Sequence, residues 1–249
     1  MPSTDQSPTN GQSAGEKPKT TRGQVTAAVD TLGQGIANGT YPQGSTLAIE
    51  QELAASLGVG RNALREAVKV LSGKGLISTA PRSGTKIRPM GDWNMLDPDV
   101  LRWHADPESA SPEFMLDLIE LRQIIEPRAA ALAAERATKE DLAEILAAYE
   151  AMASTAADEE EHLEADIRFH TAVLKASHNR VVSHFRYAIS TYLRAHVKLG
   201  KAQPQSINEE DLERHHQIAW AIASGKSDTA YDLTQEMLQT NRAHFNTDQ

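Results

Sequence analysis

Two groups of residues in this 249-residue chain have the types and spacing to do chemistry. The first is polar side chains set into apolar helical stripes. Asp166 and His170 are four apart within 158–177, on the same stripe as Leu163, Val173, Leu174 and Ser177, so carboxylate and imidazole leave one helix face together. His215 shares a face with Leu212, Ile218, Ala219 and Ile222, while its neighbour His216 falls on the surface side. Arg122 lies among Met115, Leu118, Ile125 and Ala129. Asp166, His170 and His215 can converge on one divalent ion or on the hydroxyls of a polar ligand. A buried guanidinium requires an anion, either an internal one such as Asp166 or a ligand carboxylate gripped in fork geometry. An Asp-x3-His pair alone describes a core hydrogen bond equally well; a third inward imidazole and an inward arginine favour a ligand pocket.

The second group is cationic. In 50–71 (EQELAASLGVGRNALREAVKVL) two short helices are expected around a Gly58-Val59-Gly60 turn. Ile49, Leu53, Ala54 and Leu57 make the apolar face of the first, and Leu64, Ala67, Val68 and Leu71 that of the second. Arg61, Asn62, Arg65 and Lys69 occupy a separate side of the second helix, a set able to pair with guanine and adenine edges and with phosphates.

The elements around these residues follow from pattern. Val25, Val29, Leu32 and Ile36 form a helical stripe that Asn38-Gly39 ends. After Gly73 and Gly75, 76–79 and 85–88 read as strands of a hairpin about Pro81-Arg82-Ser83-Gly84, carrying Arg82, Lys86 and Arg88. Helix, helix-turn-helix and basic hairpin make a winged helix-turn-helix over 21–90, in which the wing adds a backbone or minor-groove contact. Residues 1–20, rich in Ser, Thr, Pro, Gly and Gln, are expected to be a disordered leader. A packed linker is expected over 91–110, anchored by Trp93, Leu96, Val100 and Trp103 and punctuated by Pro98 and Pro107. From 111 to 249 the helical period continues through about 112–136, 138–154, 158–177, 179–200, 207–224 and 226–245, with Pro127 kinking the first. The fold class is thus mainly α: a winged helix-turn-helix with a small β-hairpin, then an antiparallel bundle of about six helices.

Composition agrees. The net charge of −9 is unevenly spread: residues 1–90 hold ten Lys and Arg against six Asp and Glu, whereas 91–249 hold fifteen against twenty-eight. The first part alone is suited to phosphates. With no cysteine, disulfides and thiolate metal sites are excluded, and no apolar run reaches membrane-spanning length, so a cytoplasmic protein without a membrane partner is expected.

Residues 22–89 resemble the GntR family of bacterial regulators through Tyr41-Pro42-x-Gly44, Leu47-x-x-Glu50-x-Glu52-Leu53-Ala54, Leu57-Gly58-Val59-x-Arg61, Leu64-Arg65-Glu66-Ala67, Gly75-Leu76-Ile77 and Gly84-Thr85. The resemblance implies DNA reading through Arg61 and Arg65 and through the wing; Asn62, Arg82, Gly84 and Lys86 are expected as further contacts from their places on the helix face and hairpin. Gln51 and Gly60 depart from the family's usual arginine and Ser/Thr, so operator sequence does not carry over. Residues 111–245 resemble the effector (FCD) domain of the FadR subfamily through Leu121-Arg122-x-x-Ile125-Glu126-Pro127, Asp166-x-x-Phe169-His170, Ser177-x-Asn179 and His215-x5-Ala221-Ile222.

Many members of that subfamily hold a divalent ion through one Asp and three His, and a nearby Arg with the ion holds a small carboxylate. Asp166, His170 and His215 match three of those ligands, and the fourth position, 22 residues after His215, is Met237. A thioether is a poor ligand for Zn²⁺ or Mn²⁺, and His244, seven residues further, is about 10 Å along a helix. A three-ligand site or a metal-free pocket is implied. Trp93-Asn94-x-Leu96-Asp97-x-Asp99-Val100-Leu101-x-Trp103, Glu135-Arg136-Ala137-Thr138, Glu164-Ala165-Asp166-Ile167-Arg168 and Met237 resemble the D-galactonate-responsive regulators of this subfamily.

The expected function is a homodimeric repressor, reading an inverted-repeat operator and released by a sugar acid such as D-galactonate, with Arg122, Asp166, His170 and His215 contacting the effector. A lactate-, gluconate- or uronate-type effector is the nearest alternative. A ligand-free DNA-binding protein is a further one, and a metal-dependent hydrolase lacks an evident general base.

Overall fold

The computed structural model describes residues 21–80, 83–106, 110–155, 158–199 and 209–247, with side chains described up to 240. The expected leader, Arg82, Pro107 and the His244 side chain lie outside the described residues.

Helix α1 (Thr21–Ala37), α2 (Glu50–Ser56) and α3 (Arg61–Gly73) precede an antiparallel hairpin of β1 (Ile77–Ala80) and β2 (Gly84–Ile87). The pairing Ile77↔Ile87 and Ala80↔Gly84 sets β1 one residue later and β2 one residue earlier than expected. Ile77 and Ile87 are buried and anchor the base of the hairpin, and Gly84 takes a φ of +74° where the chain turns back. Gly58, at φ +62°, provides the left-handed residue of the α2–α3 turn. Leu53, Ala54, Leu64, Ala67 and Leu71 pack as expected with Val29, Leu32 and Ile36. Ile49 does not: it precedes α2, outside the helical stripe, and is 66 % exposed.

The expected linker contains α4 (Pro98–His104), started by Asp97, whose side chain accepts from the Asp99 and Val100 amides. Trp93, Val100 and Trp103 complete the winged-helix core, whereas Leu101 and Ala105 belong to the core of the following bundle. Leu96, expected as an anchor, is exposed. Trp103 seats against Gly33 of α1, where a Cβ would meet the ring at 2.5 Å, and its indole N–H donates to Asp30 Oδ1 at 3.2 Å. Lys74, just beyond α3, reaches Asp97 at 2.6 Å and Asp99 at 2.9 Å, pinning α4 to the winged helix.

Among the described residues, six helices then form the bundle: α5 (Pro112–Arg136), α6 (Lys139–Ser154), α7 (Glu159–Ala176), α8 (Arg186–Lys198), α9 (Glu209–Ala223) and α10 (Ser227–Thr247). α5 continues through Pro127 without ending. α10 lies along α5, α6 along α7, and α7 and α8 close the far side against α5. The expected helix 179–200 is shorter than its pattern. His178 has a φ of +50°, Asn179 Oδ1 accepts from the Val181 and Val182 amides, and a 3-10 turn over Val182–Phe185 precedes α8. Small Ala side chains at 130, 133, 148, 165, 172, 176, 219 and 221 let the helices approach closely, which brings α5, α7 and α9 together around one polar interior.

Candidate functional site

That interior draws its polar side chains from three helices. On α7, Asp166 and His170 point into the bundle one turn apart; α9 contributes His215 and α5 contributes Arg122. Asp166 Oδ1 lies 3.2 Å from His170 Nε2 and 3.3 Å from His215 Nε2. His170, His215 and Arg122 are all buried, and one ligand atom from each of Asp166, His170 and His215 falls within 4.8 Å of the others. The three residues singled out by spacing are therefore one cluster.

The backs of the imidazoles are fixed. His170 Nδ1 sits 2.7 Å from Glu126 Oε2, and His215 Nδ1 lies 2.7 Å from the carbonyl of Asp211. Because both partners are acceptors, each Nδ1 is a donor to its partner, and each Nε2 faces Asp166. Asp166 Oδ1 and His215 Nε2 are both buried and face each other at 3.3 Å. Two imidazole nitrogens and a carboxylate oxygen aimed at one point, with their far nitrogens held by a carboxylate and a carbonyl, fit a divalent ion bound by three protein ligands. Such an ion would supply positive charge to an incoming carboxylate. Met237, in the implied fourth position, is buried and lines a small cavity with Glu126, His170, Phe169 and Thr234.

Arg122 has an internal partner, and it is Glu126 rather than Asp166. Its Nε donates to Glu126 Oε1 at 2.5 Å, one helical turn along α5. Its Nη2 lies 3.4 Å from His170 Nε2 and its Cζ 4.8 Å from the centroid of the Tyr192 ring on α8. Glu126 thus occupies the Nε edge of the guanidinium, and the Nη edge is turned towards His170 and the cluster. The electrostatics reflect this packing. Burial pushes the Glu126 carboxyl up, but Arg122 and His170 outweigh it and hold its pKa at about 2. Burial pushes His170 down, yet Glu126 and Asp166 raise it to about 9. Asp166 lies well below the carboxylate range, where its two histidines overcome its desolvation. An anionic Glu126 so firmly held by a guanidinium is a poor general base.

Spacing missed two members of the site. Glu126 is four residues after Arg122 on the same helix, a pairing signal available in the sequence. Tyr192 reaches Arg122 only through the packing of α8 on α5, and no spacing announces that.

At the other end of the molecule, Arg61, Asn62, Arg65 and Lys69 are exposed on one side of α3, and Gly84 and Lys86 are exposed on β2. Arg65 Nε donates to Glu50 Oε2 on α2 at 3.0 Å. Arg88, a further wing cation, pairs with Asp92 at 3.2 Å.

A winged helix whose reading helix bares arginines and an amide, joined to a helical bundle with a buried polar site, defines a DNA-binding transcription regulator. Residues 24–87 match the family model of bacterial regulatory proteins, gntR family, and residues 117–240 match the FCD domain. The chain belongs to the GntR family and carries an FCD domain. It is 35 % identical over 213 residues to the galactonate operon transcriptional repressor of Escherichia coli (strain K12), covering 86 % of this chain and 93 % of the relative. It is 32 % identical over 198 residues to the HTH-type transcriptional regulator LutR of Bacillus subtilis (strain 168), covering 76 % and 86 %. Among solved structures, Lar, which controls the expression of the Listeria monocytogenes agr system, shares the fold with a TM-score of 0.62 at 22 % identity, covering 93 % of this chain and 99 % of that one. Among the described residues, no helix is long and apolar enough to cross a membrane.

Proposed function

We propose that this regulator is a cytoplasmic, homodimeric repressor of sugar-acid catabolism genes, released from an inverted-repeat operator by a six-carbon aldonate such as D-galactonate. The winged helix (21–90) reads the operator through Arg61, Asn62, Arg65, Arg82, Gly84 and Lys86. The linker (91–110) joins it to the bundle (111–249), which binds the effector and dimerises. Arg122, Asp166, His170 and His215 contact the effector, and a divalent ion of Zn or Mn type is held by Asp166, His170 and His215.

The observation that carries this reading is the guanidinium of Arg122, buried beside three metal-competent ligands with its Nη edge left over by Glu126. With an ion in place, the charges of Arg122 and the ion exceed those of Glu126 and Asp166, and one carboxylate restores balance. Asp166 and the histidines suit the hydroxyls of a sugar acid better than an acyl chain. The likeness to a galactonate operon transcriptional repressor supports a sugar-acid operon as the target. Effector binding then shifts the dimer between DNA-compatible and incompatible arrangements, a coupling of about 1–3 kcal/mol in regulators of this kind.

The test is calorimetry and gel-shift titration on the full-length chain with D-galactonate, gluconate, glucuronate, lactate and an acyl-CoA. D-galactonate is expected to bind and to weaken operator affinity. In Arg122→Lys the ratio of operator affinities without and with effector should collapse towards one, since an ammonium cannot reproduce the paired hydrogen bonds. Binding confined to the acyl-CoA, or an unchanged ratio in Arg122→Lys, would end this reading.

A further inference from the structure

Tyr192 of α8 is 1 % exposed, and its ring is fully engaged. Arg122 lies over it at 4.8 Å, and His196 stacks with it at 5.4 Å and an interplanar angle of 16°. Phenylalanine would make both contacts. The phenolic oxygen is what the packing does not account for: it is buried and has no hydrogen-bond partner among the described residues. A hydroxyl in that condition is costly to a fold unless something visits it.

The site around it says what kind of visitor. Arg122 bridges Tyr192 to the polar cluster, since its Nη2 is 3.4 Å from His170 Nε2, which in turn is 3.2 Å from Asp166 Oδ1. Asp166 Oδ1 and His215 Nε2 are buried too but face each other at 3.3 Å, whereas the Tyr192 oxygen has no hydrogen-bond partner among the described residues. All the others in this group are charged or metal-competent. Tyr192 is the neutral one, and burial together with Glu126 and Asp166 keeps its hydroxyl protonated despite Arg122. A neutral phenol both donates and accepts, which matches an alcohol. A carboxylate, which only accepts, is already served by the Arg122 fork.

We propose that Tyr192 is a hydroxyl-reading residue of the effector pocket: its Oη exchanges a hydrogen bond with an alcohol on the same small acid whose carboxylate Arg122 holds. The inference rests on the reading of this pocket as a carboxylate site and adds a selection rule to it. Hydroxylated acids are accepted, and their deoxygenated counterparts are rejected because they would leave the phenol buried and unpaired.

The experiment compares wild type and Tyr192→Phe, which keeps the ring beneath Arg122, by calorimetry on the full-length protein. The probes are matched acids, D-galactonate with hexanoate and lactate with propionate. Tyr192→Leu reports separately on loss of the ring, and thermal midpoints check that each variant is folded. Wild type is expected to favour the hydroxylated member of at least one pair by on the order of tenfold or more. Tyr192→Phe should erase most of that preference by losing affinity for the hydroxy acid while the plain acid binds as before. A preference that survives Tyr192→Phe, or an equal loss for both members of a pair, overturns the assignment while leaving the carboxylate site intact. Failure of wild type to bind any of the four acids overturns both.

Discussion

Asp166 Oδ1 stands 3.2 and 3.3 Å from two imidazole nitrogens whose outer faces are already committed. A shell of three protein ligands closed by a thioether neighbour holds a borderline ion weakly. Any divalent ion bound by the full-length protein is therefore expected to leave on dialysis against a chelator, and His215→Ala should prevent its return. Elemental analysis before and after dialysis measures both, and a stoichiometric ion retained by His215→Ala would place the site elsewhere. The cluster itself was legible because one helical turn separates Asp166 from His170 and because His215 interrupts an apolar stripe. The partner of Arg122 was legible in the same way, four residues along at Glu126, but the demand of a buried guanidinium for an anion was assigned to Asp166 or a ligand instead. Tyr192 was illegible. An aromatic residue on a buried stripe looks like core, and only the packing of α8 against α5 shows that its oxygen is stranded.

At the level of elements, α2 and α3 are held by a glycine at positive φ and by an apolar seam, which leaves the outer side of α3 free to enter a groove. Arg61→Ala and Arg65→Ala are each expected to weaken specific operator binding roughly tenfold or more. Calorimetric affinity for the effector should be unchanged, because α3 is remote from the α5–α7–α9 interior. Gel-shift titration reads the first effect, and wild-type operator affinity in both variants would refute the assignment of α3 as the reading helix. Helical period located every long helix here, since each must bury a stripe. Ends were less legible. The start of α8 depends on the side chain of Asn179 and on a left-handed His178, and the hairpin register depends on where Gly84 turns. These are local backbone choices that hydrophobic pattern does not encode.

For the whole molecule, α4 is the element that belongs to both halves. Trp103 faces Gly33 of α1, while Leu101 and Ala105 face the bundle. Gly33→Ala would put a methyl group where the indole sits, a strain of about 1–3 kcal/mol for an overpacked core. The expected result is a lower thermal midpoint and a smaller effector-induced change in operator affinity, with effector affinity retained. Scanning calorimetry and gel shifts on the same preparation check it, and a wild-type midpoint with full response would show that Trp103 can reseat freely. The shared helix also bears on how the chain can be divided. A cut at residue 90, where the pattern of strands ends, would strip Trp93, Val100 and Trp103 from the winged-helix core and leave an apolar trench along α1. A cut after Ala105 would instead leave the bundle without Leu101. Neither half can be lifted out with its interior whole, so heating should melt the two together as one cooperative unit and a protease should find no clean seam between them.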